Sequence, residues 1–260
     1  MLSQLRALLP LLMECVEDNQ GLEPIFYQRL FDGFSILTDF FHAGGKGIPM
    51  ESFAKLDAYQ ELVSTLSLNQ TGTNLLIDQF YRDLLAEQNE VKDCKYGILN
   101  VRAYYNTNSQ TLVIDVIGAK QLIPLDSNGL SDPFVIVELV PRMNYPSQPV
   151  AKTRVVSKNL NPLFDETFEF RMKNENPIGA IVHFIVMDHD FLRCNDFAGE
   201  AFLDLCEVPG AGPSAGSALR QFNLMLIHPS KKDRLVTRVL MSRKDDKDAQ
   251  DFVRSLNAVY

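Results

Sequence analysis

The spacing of apolar residues changes period once along this chain, near Asp93, and one chain with two periods must build two different kinds of structure. Before that point apolar residues recur every three or four positions, the signature of a helix face. Leu5, Leu8, Leu9 and Leu12 open the pattern, and Pro10 is expected to bend or split it because proline lacks an N–H and crowds the preceding turn. A second helical segment, Pro24–Phe41, carries Phe26, Tyr27, Phe31, Phe34, Phe40 and Phe41 and stops at Gly44-Gly45. Ser52–Leu66 and Asn74–Glu87 follow, the latter with Leu76, Phe80 and Leu84 on one face. Aromatic stripes at this spacing are read as helix packing rather than a cofactor box.

After Asp93 the period is two. Leu112, Ile114 and Val116 alternate with Val113, Asp115 and Ile117, and Phe168 and Phe170 flank Glu169. Further strand-like runs are Ile98–Tyr105, Phe134–Val140, Ile181–Met187, Phe197–Leu203 and Arg234–Leu240. Short runs separated by Asn, Gly, Pro and Asp predict an antiparallel sandwich. Glu207–Ala218, rich in Gly, Pro and Ser, reads as a loop, and Asp248–Leu256 as a terminal helix with Phe252, Val253 and Leu256 on one side.

Composition narrows the function. The net charge of -8 argues against a nucleic-acid binder, which needs a basic face for phosphates. No apolar run reaches the ~20 residues of a spanning helix, and Arg6 and Pro10 interrupt any secretory leader. Cys15, Cys94, Cys194 and Cys206 are scattered, so reduced thiols in the cytoplasm are expected, and the four His make no zinc spacing with them. The charge is uneven: residues 1–93 hold 6 Lys+Arg against 14 Asp+Glu, whereas residues 94–260 hold 19 of each.

Five acids of the second half fall in two strand-to-strand connections. The first runs Leu125-Asp126-Ser127-Asn128-Gly129-Leu130-Ser131-Asp132-Pro133-Phe134, and the second Met187-Asp188-His189-Asp190-Phe191-Leu192-Arg193-Cys194-Asn195-Asp196. A lone loop aspartate ordinarily caps a turn. Five carboxylates brought together repel and raise one another's pKa, which a hard cation relieves. Calcium takes six to eight oxygens in a flexible geometry and suits ligands from separate loops better than magnesium's tight octahedron does. An EF-hand is excluded, because its late Glu would fall on Val137 and no helix flanks the loop. No phosphate-binding Gly loop, G-x-S-x-G elbow or kinase motif set is present, so no enzyme is expected.

These residues carry a family resemblance. From about Tyr96 to Arg243 the chain resembles a C2 domain, the calcium- and phospholipid-binding sandwich of synaptotagmins and protein kinase C. The marks are Asp126, Gly129-x-Ser131-Asp132-Pro133-Phe134, Lys152-Thr153, Asn159-Leu160-Asn161-Pro162, Phe164-Asp165-Glu166, Asp188-x-Asp190 and Asp196. The resemblance implies an eight-stranded sandwich of synaptotagmin-type topology, because the strand Gly97–Val101 precedes the Leu112 strand. It implies calcium ligands at Asp126, Asp132, Asp188, Asp190 and Asp196, assisted by the carbonyls of Leu125 and His189. Arg193 stands where some relatives carry a Ser ligand, which leaves about two ions.

The whole chain resembles the C-terminal part of an Unc-thirteen family protein of the short branch that acts in granule and dense-core vesicle exocytosis. The marks are the helical segment running into the sandwich, Phe40-Phe41-His42 to Gly47-Ile48-Pro49, and Asp248-Ala249-Gln250-Asp251-Phe252-Val253. The implied architecture is α+β and multidomain: the end of a MUN-like region at 1–93, a C2 domain at 94–243 and a short C-terminal helix at 244–260. In that family the helices work on SNARE proteins to prime vesicles.

The implied function is calcium-dependent docking of a vesicle tethering or priming factor on anionic membrane, containing phosphatidylserine or phosphoinositide. The alternative is a calcium-independent C2 scaffold that binds protein. Leu130, Phe191, Leu192 and Arg193 are the expected membrane contacts, and Lys152, Arg154 and Lys158 the expected phosphoinositide face. SNARE proteins or a small GTPase are the expected partners of the helical part. Such a protein would be cytoplasmic, and peripheral on plasma or vesicle membrane when calcium-bound.

Overall fold

The computed structural model describes every residue except 174, 192–193, 212–218, 230–232 and 260, with 258 and 259 described by their backbone alone. Two compact units result, Met1–Gln79 with Ser230–Ala258, and Phe80–Pro229 with Val259–Tyr260. Residues 80–93 therefore group with the strands, and the described residues of 230–243 with the helices. No described helix is long and apolar enough to cross a membrane.

The first unit is helical: α1 (Leu2–Asp18), α2 (Pro24–His42), α3 (Met50–Phe53), α4 (Asp57–Gln70), the first turns of α5 (Thr73–Glu90), then α6 (Leu235–Ser242) and α7 (Lys247–Val259). Helix α1 continues through Pro10 unsplit. Leu5 and Leu9 of α1, Tyr27, Phe34 and Phe41 of α2, and Leu62 and Leu66 of α4 form one core. Phe40 departs from the packing expected of the aromatic stripe, at 70% exposed, because it lies on the α2 face away from Tyr27, Phe34 and Phe41. The segment expected as one helix over Ser52–Leu66 is two, parted at Leu56, whose backbone is extended.

The second unit is a sandwich of two four-stranded antiparallel sheets. Its strands are β1 (Ile98–Asn106), β2 (Thr111–Lys120), β3 (Pro133–Val140), β4 (Ala151–Lys152), β5 (Leu163–Arg171), β6 (Ile181–Asp188), β7 (Asp196–Asp204) and β8 (Arg220–Met225). The sheet orders are β5-β2-β1-β8 and β4-β3-β6-β7. Inward-facing Leu99, Val101, Ile114, Val116, Val135, Val137, Phe184 and Phe222 fill the space between them. Strand β6 is buried at all positions. Its inner face joins that core, while Ile185 and Met187 on its outer face pack with Phe134, and His183 lies beneath Tyr81 of α5.

One expected strand is a helix. Arg234–Leu240 was expected to be extended, yet Leu235–Ser242 forms α6, with Val236, Thr237, Val239 and Leu240 buried. Apolar residues at spacings of one, three and four suit a helix face as well as a short strand, and tertiary packing decides between them. The eighth strand is β8, where Phe222 and Leu224 alternate with Gln221 and Asn223.

Candidate functional site

Strand register defines one end of the sandwich. Ile98 of β1 pairs with Lys120 of β2 and with Met225 of β8, so the start of β1 and the end of β8 lie where β2 enters the 121–132 loop. Pro133 pairs with Asp188, and Asp188 pairs with Asp196, so the 189–195 loop emerges at the same end as the first. That end is called the apex below.

The first loop is held by its own backbone and by one serine. The N–H groups of Leu125 and Asp126 donate to the Leu130 carbonyl at 3.2 and 3.0 Å, and the Gly129 N–H donates to the Asp126 carbonyl at 3.0 Å. Gly129 has φ +79°, a region that favours glycine. Buried Ser131 accepts from the Leu125 N–H and donates to the Ile123 carbonyl, both at 3.0 Å. A hydroxyl one residue before Asp132 therefore fixes the aspartate's approach to the apex.

Asp132 ties three loops together. Its N–H donates to Asp188 Oδ1 at 2.5 Å, its Oδ1 accepts from the Lys158 N–H at 2.6 Å, and its carbonyl accepts from the His189 N–H at 3.0 Å. The Asp190 N–H donates to Asn195 Oδ1 at 3.2 Å. Asp188 is only 4% exposed. Burial pushes its carboxyl above the usual carboxylate range; the Asp132 N–H pulls it back, and the charges of Asp126, Asp132 and Asp190 raise it further. Asp196 faces Asp188 across the β6–β7 ladder. All five predicted aspartates thus converge on one end.

Among the described residues, no three His, Cys, Asp or Glu side chains close into a finished metal-holding group. The donor chemistry still fits a hard cation: five carboxylates on two separated loops, one of them buried at electrostatic cost. Hydrogen bonds to Asp132 Oδ1 and Asp188 Oδ1 orient both groups and leave further lone pairs for a cation.

The other predicted residues divide. Phe191 is 93% exposed beside Asp190, and Leu130 is half-buried. Leu192 and Arg193 lie outside the described residues. Lys152 is exposed, with its ammonium 3.7 Å from the centre of the Phe134 ring. Arg154 pairs with Glu166 at 3.4 Å and donates to the Leu163 carbonyl at 3.2 Å. Lys158 is exposed, and its backbone is engaged at Asp132. The carbonyl-bearing Leu125 and His189 both stand at the apex, and the His189 ring is edge-on to Phe191 at 6.1 Å.

Two arrangements escaped the sequence reading. Gln88 of α5, 6% exposed, pairs with the edge strand β7 as a strand would: its Nε2 donates to the Phe202 carbonyl at 2.8 Å and its Oε1 accepts the Phe202 N–H at 2.7 Å. His183 lies between two carboxylates, Glu138 Oε1 at 3.2 Å from Nδ1 and fully buried Glu200 Oε2 at 2.7 Å from Nε2. The sole sequence signal for the trio was a polar residue on the outer face of each of three strands.

Comparison with known proteins agrees with this architecture. Residues 110–219 match the C2 domain family. The chain is 38% identical over 255 residues to BAI1-associated protein 3 of Mus musculus, which covers 96% of the chain and 22% of that protein. It is 40% identical over 217 residues to protein unc-13 homolog D of Rattus norvegicus, covering 82% of the chain and 20% of the relative. Synaptotagmin-10 of Homo sapiens is 40% identical over 123 residues, 47% of the chain and 22% of that protein. The chain thus spans about a fifth of the length of these relatives. The homologues that match most of this chain are thus unc-13 family proteins and BAI1-associated protein 3, and the chain carries a C2 domain.

Proposed function

We propose that the sandwich is a calcium-dependent phospholipid-binding module, and that it docks a vesicle tethering or priming factor on anionic membrane during regulated exocytosis. The observation that carries this reading is Asp188, buried and raised in pKa beside Asp126, Asp132 and Asp190, with Asp196 opposite it in the ladder. Bound calcium would supply positive charge and open coordination positions for lipid phosphate. Asp126, Asp132, Asp188, Asp190 and Asp196, with the carbonyls of Leu125 and His189, are the proposed ligands.

Residues 94–260 carry 19 acids and 19 bases, so about two Ca²⁺ would change this half from neutral to about +4. The apex then attracts the anionic surface it repels when calcium-free. Exposed Phe191, together with Leu130, Leu192 and Arg193, would enter the headgroup layer, with apolar burial of a side chain contributing at most about 1.5–3 kcal/mol. Lys152, Arg154 and Lys158 are the proposed phosphoinositide contacts, and Lys152 and Lys158 have the freer charges because Arg154 is paired with Glu166. The module has no catalytic role in this reading, and it is cytoplasmic and peripheral on plasma or vesicle membrane.

Cosedimentation with phosphatidylserine vesicles over a calcium titration is the test. Asp188→Asn/Asp190→Asn should lose calcium-dependent binding, and a variant that binds as the parent does sinks the proposed site. We assign SNARE or small-GTPase contacts to the helical part. SNARE pull-down by the full chain no stronger than by residues 80–229 removes that assignment.

A further inference from the structure

A second feature stands at the apex on the flank away from the β3–β4 edge. Lys95 and Tyr96 lead into β1, and the segment after β8 passes beside them. Tyr96 and His228 stack in parallel, 3.7 Å between ring centres and 3° between planes. Phe197, the residue after Asp196, lies 4.7 Å from His228. The Lys95 ammonium is 5.0 Å from the centre of the Tyr96 ring. All three rings are half-exposed, and Lys95 is exposed.

The backbone holds this shelf in place. Ile227 pairs with Glu200 of β7 through reciprocal bonds of 3.1 and 2.9 Å, and the Leu226 N–H donates to the Gly97 carbonyl at 3.0 Å. His228 Nε2–H donates to the Ala198 carbonyl at 2.6 Å, which fixes the ring's tilt. Gly199 is bare where a Cβ would come within 3.1 Å of Leu226 and 3.6 Å of the His228 ring. At Gly97, with φ +103°, a Cβ would meet the Lys120 carbonyl at 2.8 Å, so glycine lets this flank close on the start of the first apical loop.

A fixed group of half-exposed aromatic rings rimmed by a cation suits a membrane interface, where rings settle at headgroup depth and lysine meets phosphate. Its position agrees: Phe197 follows Asp196 directly, so the shelf is continuous with the end that carries Phe191. We propose that Lys95, Tyr96, Phe197 and His228 form a second membrane-contact element that engages the headgroups of an anionic bilayer when the apex is docked. This rests on the calcium-dependent reading above. It adds a preformed second point of contact, which sets the tilt of the sandwich on the surface.

The chain has no Trp, so a single introduced Trp reports its own depth. Tyr96→Trp and, separately, Phe191→Trp are mixed with phosphatidylcholine/phosphatidylserine vesicles containing brominated lipid, with and without calcium. Quenching of both Trp residues in calcium supports the proposal. Quenching at Phe191→Trp with none at Tyr96→Trp overturns the shelf and leaves the calcium-dependent docking standing. No quenching and no cosedimentation for either overturns the docking reading and the shelf with it. Lys95→Gln, an exposed change, should lower partitioning onto the same vesicles about fivefold without altering calcium-induced thermal stabilisation. Parent-like partitioning of Lys95→Gln counts against the cation's part in the contact.

Discussion

Replacing His183 by Ala should destabilise the sandwich at least as much as an ordinary core truncation does. The imidazole lies between Glu138 and Glu200, the latter fully buried, and is stacked 4.7 Å from Phe202 with 6° between planes. Burial alone would push the His183 pKa down, but its bonds to Glu138 and Glu200 and their charges hold it above its usual value. Burial likewise pushes Glu138 up, and the His183 bond and charge, with Arg142, carry it below the usual carboxylate value. Removing the shared cation leaves Glu200 buried without its ion pair to His183, a change that costs about 3–5 kcal/mol at comparable sites.

The pH dependence has a definite sign. The His183 contribution is fully present below the unfolded value of 6.5 and is lost as pH rises through the higher folded pKa. The Glu138 contribution is present above the unfolded 4.5 and is lost as pH falls through the lower folded pKa. Between those two unfolded values both are intact, and the trio contributes most. Urea unfolding of the calcium-free chain, followed by circular dichroism at pH 6 and at alkaline pH, measures this. His183→Ala should lose its stability at pH 6 and show a flatter fall toward alkaline pH than the parent. A loss below about 1 kcal/mol at pH 6, with an unchanged alkaline slope, would refute a charged, stabilising trio.

Other outcomes follow from the same contacts. Gln88→Ala strands the buried N–H and carbonyl of Phe202 and should cost about 2–6 kcal/mol, at about 1–3 kcal/mol per unmet group; fast amide exchange at Phe202 is the readout. Saturating calcium at about a hundredfold over its Kd should stabilise the parent by about 2.7 kcal/mol and leave Asp188→Asn/Asp190→Asn unmoved in a thermal melt. An unshifted parent melt favours a calcium-independent protein-binding scaffold. Ser131→Ala removes the two bonds its hydroxyl makes within the first apical loop, so calcium-induced stabilisation should need more calcium, measured by the same melts.

The amino-acid order was enough for the two structural classes, for the placement of Asp126 and Asp132 in one strand connection and of Asp188, Asp190 and Asp196 in another, and for the loop position of Phe191. Those features depend on local periodicity, on turn residues at set places and on like charges crowded into short loops, and all are written within a few residues. Arg234–Leu240 reads as a strand because the apolar positions of so short a segment satisfy both periods, and only its buried neighbours choose the helix. The β8 strand was passed over for a related reason, as two apolar residues in alternation are a weak signal until β1 supplies their partners. Gln88 meets Phe202 across 114 positions, and His183 gathers Glu138 from 45 positions upstream and Glu200 from 17 downstream. No local pattern encodes such meetings. They exist because sheet register and helix docking remove water from groups that must then satisfy one another, and the folded core alone imposes that requirement.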